Sequence, residues 1–232
     1  MFDDFSKRTK AIRAALELAQ ERRWSDISLA EIAGAAGLSL ADLRREFTSK
    51  SGILRAFQAE VDAETLAKAR GAAPEQSPRD RLFDIIMTRF ELMAPYKPAL
   101  ARIHADFGCH PGEAAPLFCS TLISQYWMLA GAGAKLEGVG ACIRVTGLGA
   151  IYAKVFRVWL DDASPGLDST MAALDRKLRK GERLVACLEQ AHENLCRFAC
   201  GLVPRGWGGR RDGEAATQSP PPAGGAAPAP TG

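Results

Sequence analysis

Few residues in this chain have the types and spacing that chemistry needs. His192, Cys196 and Cys200 fall four apart, so on a helix they share one stripe and could offer soft ligands to a metal. Ligands at i and i+8 of a straight helix are about 12 Å apart, too far to close one tetrahedral site. The stripe reads as small fillers of a helix face, and no metal is expected. His104 and His110 are isolated from it. No nucleophile elbow, Gly-rich phosphate cradle or paired-acid constellation occurs, so neither catalysis nor a cofactor is expected. The chemistry on offer is non-covalent. Arg44, Arg45 and Lys50 can neutralise phosphates, and Ser39, Leu40, Ala41 and Asp42 immediately precede them. Ser28 opens an earlier helix, whose N-terminus would favour an anion.

The elements that must position these residues are short. Ser28 with Glu31, and Ser39 with Asp42, have the spacing of capping boxes, so two helices begin eleven residues apart. Gly37 supplies the backbone freedom for a turn between them, and the small Ala33 lets the helices cross closely. Leu29, Ile32, Ala36, Leu38, Leu43 and Phe47 form the expected shared core. An amphipathic helix with Phe5, Ile12, Leu16 and Ala19 on one face precedes the unit, and Trp24 closes it. The arrangement is a helix-turn-helix, which lays its second helix in the major groove of DNA. Ser39, Leu40, Ala41 and Asp42 would then face base edges.

Residues 6–60 resemble the N-terminal domain of the TetR family of bacterial regulators. The resemblance rests on the ISLAEIAGAAGLS block, on Phe47 closing a three-helix core, and on Lys50 opening the fourth helix. It implies a cytoplasmic regulator that binds an operator as a homodimer. Where that family has an aromatic–x–His–Phe run, this chain reads Arg44, Arg45, Glu46, Phe47. Residues 1–60 carry ten Lys and Arg against nine Asp and Glu. Phosphate neutralisation dominates affinity for DNA, so Asp42 and Glu46 on the recognition helix oppose it.

The 232 residues carry a formal charge of +3, and 47% are hydrophobic. Apolar spacing near 3.6 predicts an all-α protein of about nine helices, and the resemblance implies a TetR-like fold with a three-helix headpiece and a larger helical domain. Ser77-Pro78-x-Asp80 opens a helix to about Ala94, and Gly108–Gly112 and Gly131–Gly140 read as loops. Another loop spans Asp161–Gly166 before a last helix from Asp168 to about Cys200. The expected domains are 1–50 (helix-turn-helix), 51–203 (ligand binding and dimerisation) and 204–232, a Gly/Pro/Ala-rich disordered tail. Residues 114–134 lack charge, but Pro116, Ser120, Thr121, Ser124 and Gln125 interrupt them, so a buried helix is expected. Met1-Phe2-Asp3-Asp4 does not begin a signal peptide, and the six cysteines are expected to be reduced thiols in the cytoplasm.

Two broad apolar faces follow. One carries Ile143, Leu148, Ile151, Val155, Val158 and Leu160, the other Met171, Leu174, Leu178, Val185, Leu188 and Leu195. They suit a homodimer through the last two long helices. A pocket for an apolar small molecule or lipid is expected among Phe83, Phe90, Tyr96, Trp127, Tyr152, Phe156 and Trp159, with Ser124 and Gln125 as polar anchors. Tyr126 is a further aromatic candidate.

Residues 92–178 are also similar to the COQ9 family of lipid-binding proteins, through Ala94-Pro95-Tyr96, Trp127-Met-Leu-Ala-Gly, Ala150-Ile151-Tyr152 and Met171-Ala-Ala-Leu174. That similarity implies an alternative, an isoprenoid-lipid carrier of quinone biosynthesis with little or no DNA binding. Arg176, Lys177, Arg179, Lys180 and Arg183 could correspondingly touch anionic lipid headgroups. The regulator is the leading expectation.

Overall fold

The computed structural model describes residues 6–69, 75–109 and 111–201, with side chains omitted at 109, 111–115, 139, 186 and 188–201. Met1–Ala191 groups as one compact unit and His192–Gly232 as a second. The first unit holds the headpiece and the helical body. Among the described residues there are nine α-helices and no strand: α1 (Lys7–Glu21), α2 (Leu29–Ala35), α3 (Leu40–Glu46), α4 (Lys50–Ala69), α5 (Pro78–Met93), α6 (Lys97–Cys109), α7 (Pro111–Gly131), α8 (Gly138–Asp161) and α9 (Asp168–Gly201). Among the described residues no helix is long and apolar enough to cross a membrane. Phe5, His110 and the tail from 204 lie outside the described residues, as do the side chains of Leu188, His192, Leu195, Cys196 and Cys200.

The headpiece helices begin where their caps dictate. Ser28 accepts the Glu31 backbone N–H, and Glu31 accepts the Ser28 N–H in return. Ser39 caps α3 by half of this device: its hydroxyl accepts the Asp42 N–H, while the Asp42 carboxylate accepts from the Ser39 hydroxyl rather than from its backbone. At the end of α2 the Leu38 N–H reaches the Ala33 carbonyl, and Gly37 takes φ +65° and bonds the Gly34 carbonyl. This pair of bonds is a Schellman close, and it needs the left-handed backbone that glycine adopts freely. Ile12, Leu16, Trp24, Ile32, Leu43 and Phe47 fill the core beneath it.

Helix α4 leaves the headpiece and packs against α5 and α7 in the body, while α6 lies against α1. The Ser25 backbone N–H donates to the buried Asp106 carboxylate of α6 at 2.8 Å, fastening headpiece to body. The loop expected at Gly108–Gly112 is largely helical, since α6 reaches Cys109 and α7 begins at Pro111. Between α8 and α9 the Asp162 carboxylate accepts four bonds, from the backbone N–H and hydroxyl of Ser164 and of Thr170. These bonds hold its carboxyl well below the ordinary value, the Ser164 hydroxyl contributing most.

Candidate nucleic-acid interface and effector sites

Helix α3 turns Leu43 into the core, followed by Phe47 at its end. The register leaves Ser39, Leu40, Ala41, Arg44 and Arg45 exposed on the opposite face, with Leu40 55% accessible. The structure therefore brings these candidates onto one outward surface. Asp42 is half-buried at its edge, where Lys7 donates at 2.7 Å and Arg45 at 3.3 Å. The bond from Lys7, then that from Ser39, holds the Asp42 carboxyl down to about 2. Its negative charge is met within the headpiece. Glu46 is half-buried.

Two expected phosphate contacts occupy other positions. The Lys50 ammonium turns inward and donates to the carbonyls of Trp24 at 2.5 Å and Ile27 at 2.8 Å, lying 4.9 Å from the Trp24 ring centre. It ties the start of α4 to the chain ahead of α2, where the sequence expectation placed it on a phosphate. An ammonium carries three donors on a flexible stem, so one lysine can meet two backbone carbonyls at once. Ser28 gives its hydroxyl to Glu31, whose carboxylate occupies the start of α2 and is lowered to about 2, chiefly by the Ser28 backbone N–H. A phosphate there would meet that charge.

In the body, Phe90, Tyr152, Phe156 and Trp159 stack on one another at 5.4–6.0 Å between centroids. Phe90, Tyr152 and Trp159 are buried, so this part of the expected pocket is core. Phe83 and Tyr96 are half-buried, Tyr96 meeting Phe57 edge-on at 5.2 Å. Trp127 lies 52% exposed against Tyr126, away from the interior. Ser124 and Gln125 do turn inward. Ser124 donates to Asp62 of α4, and both ends of the buried Gln125 amide lack a partner among the described residues.

Sequence patterning did not single out what Ser124 meets. Arg89 of α5, 1% exposed, pairs with Asp62 and donates from Nε to the Tyr152 hydroxyl at 3.1 Å. One Arg89 nitrogen and the Gln58 side-chain oxygen are buried without a partner among the described residues. Burial pushes the Asp62 carboxyl up against the pull of Arg89, and pushes the Tyr152 hydroxyl up as well. The cluster joins four helices, α4, α5, α7 and α8.

A separate groove opens between α5, α7, α8 and α9, and none of the nine expected pocket residues lines it. Of the five cations expected to meet lipid headgroups, Lys177 and Lys180 line this groove, while Arg179 pairs with Asp175 at 3.0 Å. The apolar surface assigned to dimerisation is partly used within the chain, since Leu148, Val155, Leu174 and Leu178 are buried. Among the described residues no group of three or more His, Cys, Asp or Glu could hold a metal.

No family model and no curated protein matches the chain. Solved structures do. A TetR transcriptional regulator from Nitrosomonas europaea superimposes with TM-score 0.61 at 23% identity, over 75% of this chain and 97% of that one. A TetR regulator from Rhodococcus gives 0.55 at 18%, over 75% and 94%. A TetR-family regulator from Streptomyces coelicolor gives 0.53 at 16%, over 86% and 90%. These likenesses and the all-α order of helices show that the chain has the TetR-like fold.

Proposed function

We propose that this chain is a DNA-binding transcriptional regulator of the TetR type, a homodimer whose operator affinity responds to an apolar small molecule. The observation that carries this reading is the α3 surface: Leu43 and Phe47 anchor the helix while Ser39, Leu40, Ala41, Arg44 and Arg45 face outward together. A short helix presented this way fits the major groove, with Arg44 and Arg45 on phosphates and the N-terminal residues toward base edges. Asp42 speaks less against DNA than its charge suggests, because Lys7 and Arg45 already pair with it. That weakens one of the supports for a lipid carrier with an idle headpiece. The domain boundary belongs at α4, with 1–50 contacting DNA, 51–203 carrying ligand and dimer contacts, and 204–232 as a tail. α8 and α9 supply the dimer surface, so that a two-fold axis sets two headpieces on a palindrome.

The effector would act through α4. Asp62 sits on that helix and is held by Arg89 and Ser124, beside the unpartnered Gln125 amide. A small molecule that supplies bonds to Gln125 and Arg89 would displace α4. It would thereby shift the population of headpiece spacings.

Titration of the protein into its own upstream DNA, with a scrambled competitor at two salt concentrations, tests the reading. Specific binding that weakens with salt by several ions is expected. Binding equal to that of the scrambled fragment would reject it.

A further inference from the structure

The side chains at the start of α3 have unequal hydrogen-bonding capacity left to offer a base. The Ser39 hydroxyl donates to the Asp42 carboxylate at 2.7 Å and accepts the Asp42 N–H at 3.0 Å. A hydroxyl has a single proton, so Ser39 has none left to donate. The Asp42 carboxylate accepts from Lys7, Arg45 and Ser39, which uses three of its about four acceptor positions. Both polar side chains thus spend most of their capacity inside the headpiece.

Between them in the chain stand Leu40 and Ala41, both exposed. Leu40 is 55% accessible, and it belongs neither to the buried core nor to the apolar side chains laid against it. Among the described residues it is the one large exposed apolar side chain of the headpiece, the next along the chain being Phe118 of α7. A lone surface leucine is ordinary. Its surroundings give this one a meaning. Arg44 and Arg45 are exposed about one turn further along the same helix, and such cations suit a polyanion better than an apolar partner.

We propose that Leu40 reads the C5-methyl group of thymine, so that the operator is selected by an apolar contact in place of hydrogen bonds from Ser39 or Asp42. In the major groove thymine presents a methyl group beside its O4 acceptor, and no other base carries one. An aliphatic side chain offers nothing to a donor or an acceptor and gains only where it covers apolar surface. Ala41 extends that surface by one methyl. Arg44 and Arg45 hold phosphates, which fixes the register of the helix and carries no sequence information. The inference rests on the proposed DNA binding and names the base edge that this binding selects.

The test uses the full chain and the protein's own upstream fragment, made once with thymine and once with deoxyuridine at every thymine position. Uracil deletes the methyl and keeps every pairing atom. It should weaken specific binding about tenfold, one methyl being lost in each half-site of the proposed dimer. Leu40→Ala should unfold like the parent, since the side chain is exposed and Ala suits a helix. It should bind the thymine fragment about tenfold more weakly and be indifferent to uracil. Uracils placed singly across the bound region should locate the sensitive thymine of each half-site. At that position 5-methylcytosine should bind about fourfold better than cytosine, because it returns the methyl without the O4 acceptor. Equal binding of the thymine and uracil fragments would overturn the contact and leave the regulator standing. So would a Leu40→Ala variant that loses as much on uracil as the parent does. Absence of specific binding to the thymine fragment would reject the regulator, and the contact with it.

Discussion

The headpiece and the helical body each hold an aspartate between a cation and a serine, in opposite surroundings. Asp42 lies at the protein surface, its carboxyl lowered by Lys7 and Ser39. Asp62 lies among packed helices, its carboxyl raised by burial although Arg89 and Ser124 both bond it. A solvent-facing pair gains little, because water already solvates both charges. A buried pair is costly to assemble and costlier to break, since removing one partner leaves the other uncompensated. The headpiece thus keeps a surface free for another molecule, while the body stakes its stability on a polar cluster with unpartnered atoms.

Breaking the buried pair should have the largest effect on stability. Arg89→Met should cost about 3–5 kcal/mol in urea unfolding, because Asp62 keeps its burial and loses its cation. Arg89→Met with Asp62→Leu should recover most of the loss, since apolar packing often replaces such pairs at little cost. A double variant as unstable as the sum of its parts would mean that the two residues act independently.

A second buried carboxylate sharpens the contrast, because Asp162 is surrounded by donors and its carboxyl is pulled down rather than up. Asp162→Ala should cost about 2–3 kcal/mol, as bonds to a charged acceptor exceed the usual value. The sign with pH follows from the lowered carboxyl. Its stabilisation is complete above the ordinary value of 3.8 and fades as pH falls below that. The variant should therefore lie closer to the parent in unfolding temperature at pH 3 than at pH 7. An equal gap at both would detach the effect from ionisation.

Within the headpiece, Lys50 and Arg45 should separate two kinds of cation. Lys50→Met should lose about 2 kcal/mol, leaving the Trp24 and Ile27 carbonyls without their charged donor. At a temperature where it stays folded, its salt slope on DNA should be unchanged. Arg45→Ala should unfold like the parent and flatten that slope by about one ion. Reversed results would return Lys50 to the phosphates and make Arg45 structural.

What could be seen in the sequence follows the same division. The headpiece is specified over short range: Ser28 with Glu31, Ser39 with Asp42, and Gly37 each act within four residues, so spacing alone reveals caps and turn. Helix periodicity likewise located α5, α8 and α9. The Arg89–Asp62 pair is 27 residues apart on two helices, and a charged residue in an amphipathic pattern looks like any solvated one. Aromatic content pointed to a pocket, but Phe90, Tyr152 and Trp159 pack into a stack, because rings that fill a core and rings that line a void leave the same mark in a sequence. The groove between α5, α7, α8 and α9 is lined by apolar residues of four helices with Lys and Arg of distant segments, and periodicity on one helix does not say which other helix its apolar face will meet.

The smallest effect belongs to Asp42, and it tests whether the surface pair shapes recognition or only neutralises a charge. Asp42→Asn frees Lys7 and Arg45 and removes one negative charge from the recognition helix. If the pair only neutralises, binding to DNA should tighten and its salt slope should steepen by about one ion. If Asp42 instead aims Arg45 at its phosphate, the variant should bind more weakly despite the added positive charge, and the slope should not rise. Acid titration gives an independent reading without DNA. The Asp42 carboxyl is lowered from 3.8 to about 2, so its pairing supports the fold above pH 3.8 and is lost as pH falls from there toward 2. Parent and Asp42→Asn should therefore converge in stability across that interval. Convergence there, together with tighter DNA binding, would mean that the headpiece spends its surface pair on charge balance and leaves Arg44 and Arg45 to set affinity.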